Sequence, residues 1–225
     1  MQLSKDTIAK LKNFATINPN LVYKGDGRLT TISEVKNILA ETNITEDIKS
    51  SFGIYDLTEF LSALSLIPDG DVTFTDTAVE IKGGGAKLKY TYADTNILTA
   101  PTKTIDMPPA DVTVVLTAEQ IDAIRKAAST LGHNVLRFEM YDNNKMSISA
   151  VDSTGASKNT YSIDYTTSTY ADNVRFKFDI LINNLKLTQG QYTVYLSHKL
   201  ISKWEGETTN YFIALEQTST FENGN

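Results

Sequence analysis

Apolar residues recur with helical period near the start of the chain. Over Ser4 to Thr16, with Lys5 set at zero and about 100° per residue, Phe14, Thr7, Leu11, Ala15 and Ile8 fall in an arc of roughly 180° to 300°. Lys5, Lys12, Thr16 and Ala9 lie within about 40° of zero, on the opposite flank. The pattern predicts a helix with one buried face and a lysine-bearing edge. Ser4 stands where an N-cap oxygen would accept an orphan amide hydrogen. A second helix is predicted by Leu57, Phe60, Leu61, Leu64 and Ile67, with Asp56 as its cap, Glu59 three residues on, and Pro68-Asp69-Gly70 as its stop.

The first pattern returns. Leu3-Ser4-Lys5-Asp6-Thr7-Ile8 reappears as Leu116-Thr117-Ala118-Glu119-Gln120-Ile121, an offset of 113 residues in a chain of 225. Over Thr117 to Ser129, Ala127, Gln120, Ile124, Ala128 and Ile121 fill the buried arc. Arg125 takes the angular place of Lys12, Lys126 and Asp122 share the exposed side, and Thr117 with Gln120 forms a candidate capping box. A repeat at this spacing indicates two copies of one domain, because solenoid units are shorter.

The duplication reaches beyond one helix. Alternating strands are predicted at Phe52/Ile54 and at Val174, Phe176, Phe178 and Ile180, before the second helix and its expected counterpart at Leu181 to Leu187. Others follow at Val72/Phe74 and at Tyr192, Val194 and Leu196. Val79/Ile81, Leu88/Tyr90/Tyr92, Leu136/Phe138/Met140, Met146/Ile148/Ala150, Tyr161/Ile163/Tyr165 and Tyr211/Ile213/Leu215 also alternate. Asp142-Asn143-Asn144 reads as a tight turn and Gly83-Gly84-Gly85 as a hairpin link. One-sided alternation favours antiparallel sheets with one solvated face. The fold class is therefore α+β: two similar domains, residues 1–98 and 113–225, each an antiparallel sheet with two helices on one side. Pro101, Pro108 and Pro109 make residues 99–112 an extended connector.

Composition narrows the function. With 41% hydrophobic residues the chain can bury a core, yet it has no long uncharged apolar run to cross a membrane and no apolar leader after Met1. Without cysteine there is no disulfide, thiolate ligand or cysteine nucleophile, which suits a reducing compartment. A net charge of −6 argues against a surface that wraps nucleic acid widely, but leaves room for one basic face.

Catalytic signals are few. His133 and His198 have no metal-ligand spacing, Gly83-Gly84-Gly85 lacks the Lys-Ser/Thr of a phosphate loop, and Asp69 and Asp71 offer only a turn. The tyrosine pairs Tyr90/Tyr92 and Tyr161/Tyr165 read as strand packing, and Lys87 and Lys89 point to the face opposite Tyr90. No metal or cofactor is expected, and the chain is expected not to be an enzyme. What remains is the helical basic set Lys5, Lys12, Arg125 and Lys126, with Lys10 at the margin. These residues are either an ordinary solvated helix face or a surface for salt-sensitive, sequence-independent phosphate contacts.

Several segments carry a likeness to a known family. Leu3-Ser4-Lys5-Asp6-Thr7 with Leu11-Lys12-Asn13-Phe14-Ala15-Thr16-Ile17-Asn18, Ile54-Tyr55-Asp56-Leu57, Phe60-Leu61, Leu64-Ser65-Leu66, Ala93-Asp94 through Pro101, Tyr192, Tyr211, Ile213-Ala214-Leu215-Glu216 and Ser219-Thr220 resemble the sliding clamp of the T4-like phages. The chain departs from that pattern at Tyr92, where a tryptophan–proline pair is usual, and at Phe221-Glu222 with its Gly-Asn extension. The resemblance implies two DNA-clamp-type domains per subunit and a homotrimeric ring around duplex DNA, held without sequence specificity. It implies a DNA polymerase processivity factor that tethers the phage DNA polymerase, is loaded by an ATP-dependent clamp loader and hydrolyses nothing. A role in late (viral) transcription, with sigma-like and coactivator proteins as partners, is implied too, as is location in the cytoplasm of the infected bacterial host with no membrane association. Lys5, Lys12 and Arg125, and less directly Lys126 and Lys10, take the DNA-facing positions; an apolar partner pocket is expected in the second domain near the connector and final strands. A structural or tail-associated module joined by exposed edge strands is the competing reading, and an enzyme with carboxylates brought together by the fold is a third.

Overall fold

The computed structural model describes residues 1–142, 145–166 and 174–222 and divides into two compact units. Unit 1 comprises Met1–Thr104, Lys186–Thr188 and Thr208–Tyr211; unit 2 comprises Ile105–Leu185, Gln189–Glu207 and Phe212–Asn225. The expected turn at Asp142-Asn143-Asn144 falls largely outside the described residues.

Unit 1 runs α1 (Lys5–Ala15), β1 (Leu21–Tyr23), β2 (Arg28–Ile32), β3 (Ile38–Asn43), β4 (Phe52–Ile54), α2 (Leu57–Ser65), β5 (Asp71–Phe74), β6 (Ala78–Gly83), β7 (Ala86–Thr91) and a 3₁₀ turn at Thr95–Ile97. Strands β1 and β4 pair, β2 and β3 form a hairpin, and β5-β6-β7 form a meander, all antiparallel. Gly84 and Gly85 both take positive φ, 57° and 81°, so β6 and β7 are joined by the mirror-image turn whose twist suits a two-residue hairpin. Helices α1 and α2 bury Leu11, Phe14, Leu57 and Phe60 in a core shared with Leu21, Tyr23, Ile54 and Ile81. Tyr90 packs edge-on to Phe60, with ring centroids 5.2 Å apart, and its hydroxyl donates to the Asp56 carbonyl. It serves packing, as the alternation implies.

Unit 2 runs β8 (Val112–Leu116), α3 (Ala118–Leu131), β9 (Val135–Asp142), β10 (Lys145–Val151), β11 (Tyr161–Thr166), β12 (Arg175–Leu181), a 3₁₀ turn at Ile182–Asn184, β13 (Tyr192–Ser197), β14 (Ile201–Glu205), β15 (Thr209–Ala214) and β16 (Thr220–Glu222). The start of β15 belongs to unit 1 and its end to unit 2. One sheet has the order β11-β10-β9-β12-β16, and β14-β13-β8 is a run in another. Trp204 is fully buried; its Nε1 donates to Ser202 Oγ at 3.2 Å, and that hydroxyl donates to the Ile213 carbonyl at 2.9 Å.

The two halves differ in one element. The counterpart of α2, expected over Leu181 to Leu187, is a single 3₁₀ turn after β12. Leu181 gives it no side-chain cap, and Asn183-Asn184 favours local bonding over helix propagation. The connector is also less independent than an extended linker. Asn18, almost fully buried, donates from Nδ2 to the carbonyls of Ile32 (2.6 Å) and Thr99 (3.2 Å), and Asn20 Oδ1 accepts from the Thr99 amide at 2.9 Å. The start of the connector is thereby stapled to unit 1.

Candidate nucleic-acid interface

Both duplicated helices begin as their sequences dictate. Ser4 Oγ accepts from the Thr7 amide at 3.1 Å. Thr117 and Gln120 complete a reciprocal capping box, and Gly132 closes α3 in the left-handed conformation at φ 69°. Asp56 caps α2 by accepting from the amides of Thr58 and Glu59 at 2.9 and 3.0 Å.

Helix α1 has a second anchor that local reading misses. Glu46, from the loop after β3, accepts from the Ser4 amide and the Thr7 hydroxyl, each at 2.6 Å. A carboxylate at this end of a helix meets both orphan N–H groups and the positive end of the helix dipole. Burial pushes the Glu46 carboxyl up, but the hydrogen bonds from Thr7 and Ser4 outweigh it and hold it below its usual value. No local motif could reveal a partner about 40 residues away.

The basic residues separate into two groups. Lys5 and Lys12 on α1 and Lys126 on α3 are exposed, and no ion pair is formed by any of the three among the described residues. Lys10 is buried: its ammonium donates to Asp6 Oδ2 at 2.6 Å and to the Asn43 carbonyl at 2.9 Å. Arg125 is half-buried; Nη2 donates to the Leu185 carbonyl at 2.6 Å, and Nη1 lies 4.0 Å from Asp122. Lys10 thus ties α1 to the end of β3, and Arg125 ties α3 to the segment that replaces a helix. Helix α2 has no basic residue, so its exposed face offers Thr58, Ser62 and Ser65 beside Glu59.

Sites of other chemistry do not assemble among the described residues. No group of three His, Asp or Glu there could hold a metal ion. His133 is buried with Nδ1 2.9 Å from the Ala150 carbonyl, whereas His198 pairs through Nδ1 with Asp111 at 2.8 Å and stacks on Phe221. Asp152 closes a polar turn, where amide hydrogen bonds from Thr154 and Ser157 lower its carboxyl to about 2. No described helix is long and apolar enough to cross a membrane.

The comparisons with known proteins bear on the family of the chain. Residues 4–105 match the family described as DNA polymerase processivity factor, and residues 113–217 match the family described as gp45 sliding clamp, C terminal. The sliding clamp of Vibrio phage KVP40 is 32% identical over 222 residues, covering 96% of this chain and 99% of that one. The sliding clamp of Enterobacteria phage T4 is 31% identical over 229 residues, covering 99% of this chain and 100% of that one. Among solved structures, A. fulgidus PCNA with the C-terminal region of FEN-1 bound superposes with a TM-score of 0.68 at 13% identity, covering 95% of this chain and 96% of that one. At that identity the likeness is one of fold. The phage relatives span both halves at about a third identity, and the chain belongs to the sliding-clamp family of DNA polymerase processivity factors, related to the clamps of the T4-like phages.

Proposed function

We propose that this chain is the subunit of a homotrimeric ring that encircles duplex DNA and tethers a phage DNA polymerase for processive synthesis. One observation carries the DNA-facing assignment: the duplicated, capped helices α1 and α3 each present unpaired ammonium groups, Lys5 and Lys12 on one and Lys126 on the other. Unpaired lysines make salt-sensitive phosphate contacts without reading sequence, as a sliding tether requires. A topological link needs no tight grip, so a few such contacts per subunit suffice, and the net charge of −6 discourages adhesion elsewhere. Arg125, partly exposed on α3 with one of its N–H groups on the Leu185 carbonyl, adds a further positive charge to that surface, whereas the buried Lys10 supports α1 from within.

The domains of the ring are residues 1–98 and 113–225, joined by 99–112. Strands β7 and β11 are each at the edge of a sheet with one neighbour, and edges of this kind invite pairing with another copy. An ATP-dependent clamp loader opens and closes the ring in the cytoplasm of an infected bacterium, the polymerase docks in the second domain, and late-transcription proteins use the same clamp. The chain itself catalyses nothing.

Retention on DNA tests this reading. Loaded protein should stay on a closed circle and run off once the circle is cut, and its solution mass at micromolar concentration should be that of a trimer. Equal retention on circular and linear DNA, or a monomer at every concentration, overturns it.

A further inference from the structure

We propose that Lys186 is a further phosphate-contacting residue of the DNA-facing surface, set beside the Lys5–Lys12 edge of α1 by Asn13. The inference rests on the DNA-facing reading of that helix and adds a residue that no helical periodicity marks. Lys186 follows the 3₁₀ turn of Ile182–Asn184, in the segment where the duplication called for a second helix. It nevertheless belongs to unit 1, together with Leu187 and Thr188. Its carbonyl accepts from Asn13 Nδ2 at 2.7 Å, a bond across 173 residues.

Asn13 is itself held in place. Its Oδ1 accepts from the Tyr211 hydroxyl at 2.8 Å, and that hydroxyl accepts from the Thr188 amide at 3.1 Å. Tyr211 is fully buried, so Lys186–Thr188 is fastened to α1 at both of its ends. Leu185 and Leu187 are buried while Lys186 between them is exposed, so the lysine side chain leaves the core side of the segment. It forms no ion pair among the described residues.

Position on α1 gives this charge its company. With Lys5 at zero, Asn13 falls near about 80° and Lys12 near about 340°, so Lys186 is seated on the flank of the exposed lysine edge. Asn13 is one residue beyond Lys12, so Lys186 prolongs the row that Lys5 and Lys12 begin. Duplex DNA carries one charge per about 1.7 Å of axis, so three ammonium groups spread over roughly 12 Å need not share a phosphate. Asn13 also stands in the last turn of α1, where a positive charge favours the helix dipole. That alternative gives Lys186 a role in stability and none in binding, and measurement separates the two.

The test is the salt dependence of association between the full chain and a short labelled duplex, read by fluorescence anisotropy. Lys186→Gln should reduce the slope of log affinity against log salt by about 0.9 for each Lys186 that meets a phosphate. Lys186→Arg should keep the original slope, as should Lys36→Gln in the turn between β2 and β3. Because Lys186 is exposed, the thermal midpoint of Lys186→Gln should not change. The proposal is overturned if Lys186→Gln keeps the full slope while Lys5→Gln and Lys12→Gln reduce theirs; a lowered midpoint would then assign the charge to the dipole of α1. A loss shared by Lys186→Arg, or equalled by Lys36→Gln, overturns it as well. If the Lys5 and Lys12 variants also keep the full slope, or the unaltered chain does not associate at low salt, the DNA-facing reading fails together with it.

Discussion

Arg137 and Asp179, on neighbouring strands β9 and β12, form a two-pronged ion pair, with Nε 2.8 Å from Oδ1 and Nη2 2.9 Å from Oδ2. Asp179 is 3% exposed and also organises the turn before β16: its carbonyl accepts from the Glu216 amide, its amide donates to Ser219 Oγ, and Thr218 Oγ1 donates to its second carboxylate oxygen. The hydrogen bonds from Arg137 to Asp179 lead the rise in the guanidinium's pKa. Removing the arginine would leave a buried carboxylate without its partner. Arg137→Met should therefore cost about 3 kcal/mol in urea unfolding, and the double change Arg137→Met/Asp179→Leu distinctly less. A double variant as unstable as the single one would show that packing, not the buried charge, governs the site.

Lys10 and Lys12 should separate cleanly. Lys10→Met leaves the Asn43 carbonyl short of a donor and should lower stability by about 1–3 kcal/mol. Lys12→Glu, at an exposed position, should leave the unfolding midpoint nearly unchanged and weaken DNA association. For every phosphate that a variant no longer neutralises, the slope of log affinity against log salt should shrink by about 0.9. An unaltered slope after charge reversal at Lys5, Lys12 and Lys126 together would remove them from the DNA-facing surface.

Arg125 and Lys126 make the same contrast on α3. Arg125→Ala frees the Leu185 carbonyl, so faster amide exchange is expected over Ile182 to Leu187, with Lys126→Ala silent in that readout. Similar exchange in both variants would return Arg125 to the solvated face.

Glu46 predicts a pH dependence. Its carboxyl is lowered on folding from an ordinary 4.5, despite burial, by bonds from Thr7 and Ser4. The stabilisation is complete above that unfolded-state value and is lost as pH falls through the lowered folded value. Glu46→Gln should thus lower the thermal midpoint at neutral pH and flatten its decline below about pH 4.5. An unchanged acid limb would assign the decline to other carboxylates.

Thr117 tests the capping box. Thr117→Ala should cost about 1 kcal/mol by denaturant unfolding, with most of the loss regained in Thr117→Ser. No regain with serine would trace the effect to the methyl group.

Much of this was legible in the chain. The helices at Lys5–Ala15, Leu57–Ser65 and Ala118–Leu131 start at Ser4, Asp56 and Thr117 because capping and helical periodicity are local, operating within one turn. Alternation likewise marked β9, β10, β12 and β13. Short strands such as β1 and β16 carried no comparable signal, because their pairing partners are remote, and the β2–β3 hairpin was missed because Arg28–Ile32 and Ile38–Asn43 lack a regular alternation of large apolar residues.

The basic residues set the limit most clearly. By itself the sequence determined that positive charge recurs on matched helices at Lys12 and Arg125, since angular position on a helix follows from residue number. Which of those charges are free was decided by the tertiary structure alone. Lys10 is held by Asn43, Arg125 by Leu185, and the end of α1 by Glu46, all partners brought near by other strands and loops. A helical wheel assigns a direction to a side chain. Only the packed fold supplies the carbonyl or carboxylate that waits there, and it is what separates a buried ammonium such as Lys10 from the exposed ones of Lys5, Lys12 and Lys126.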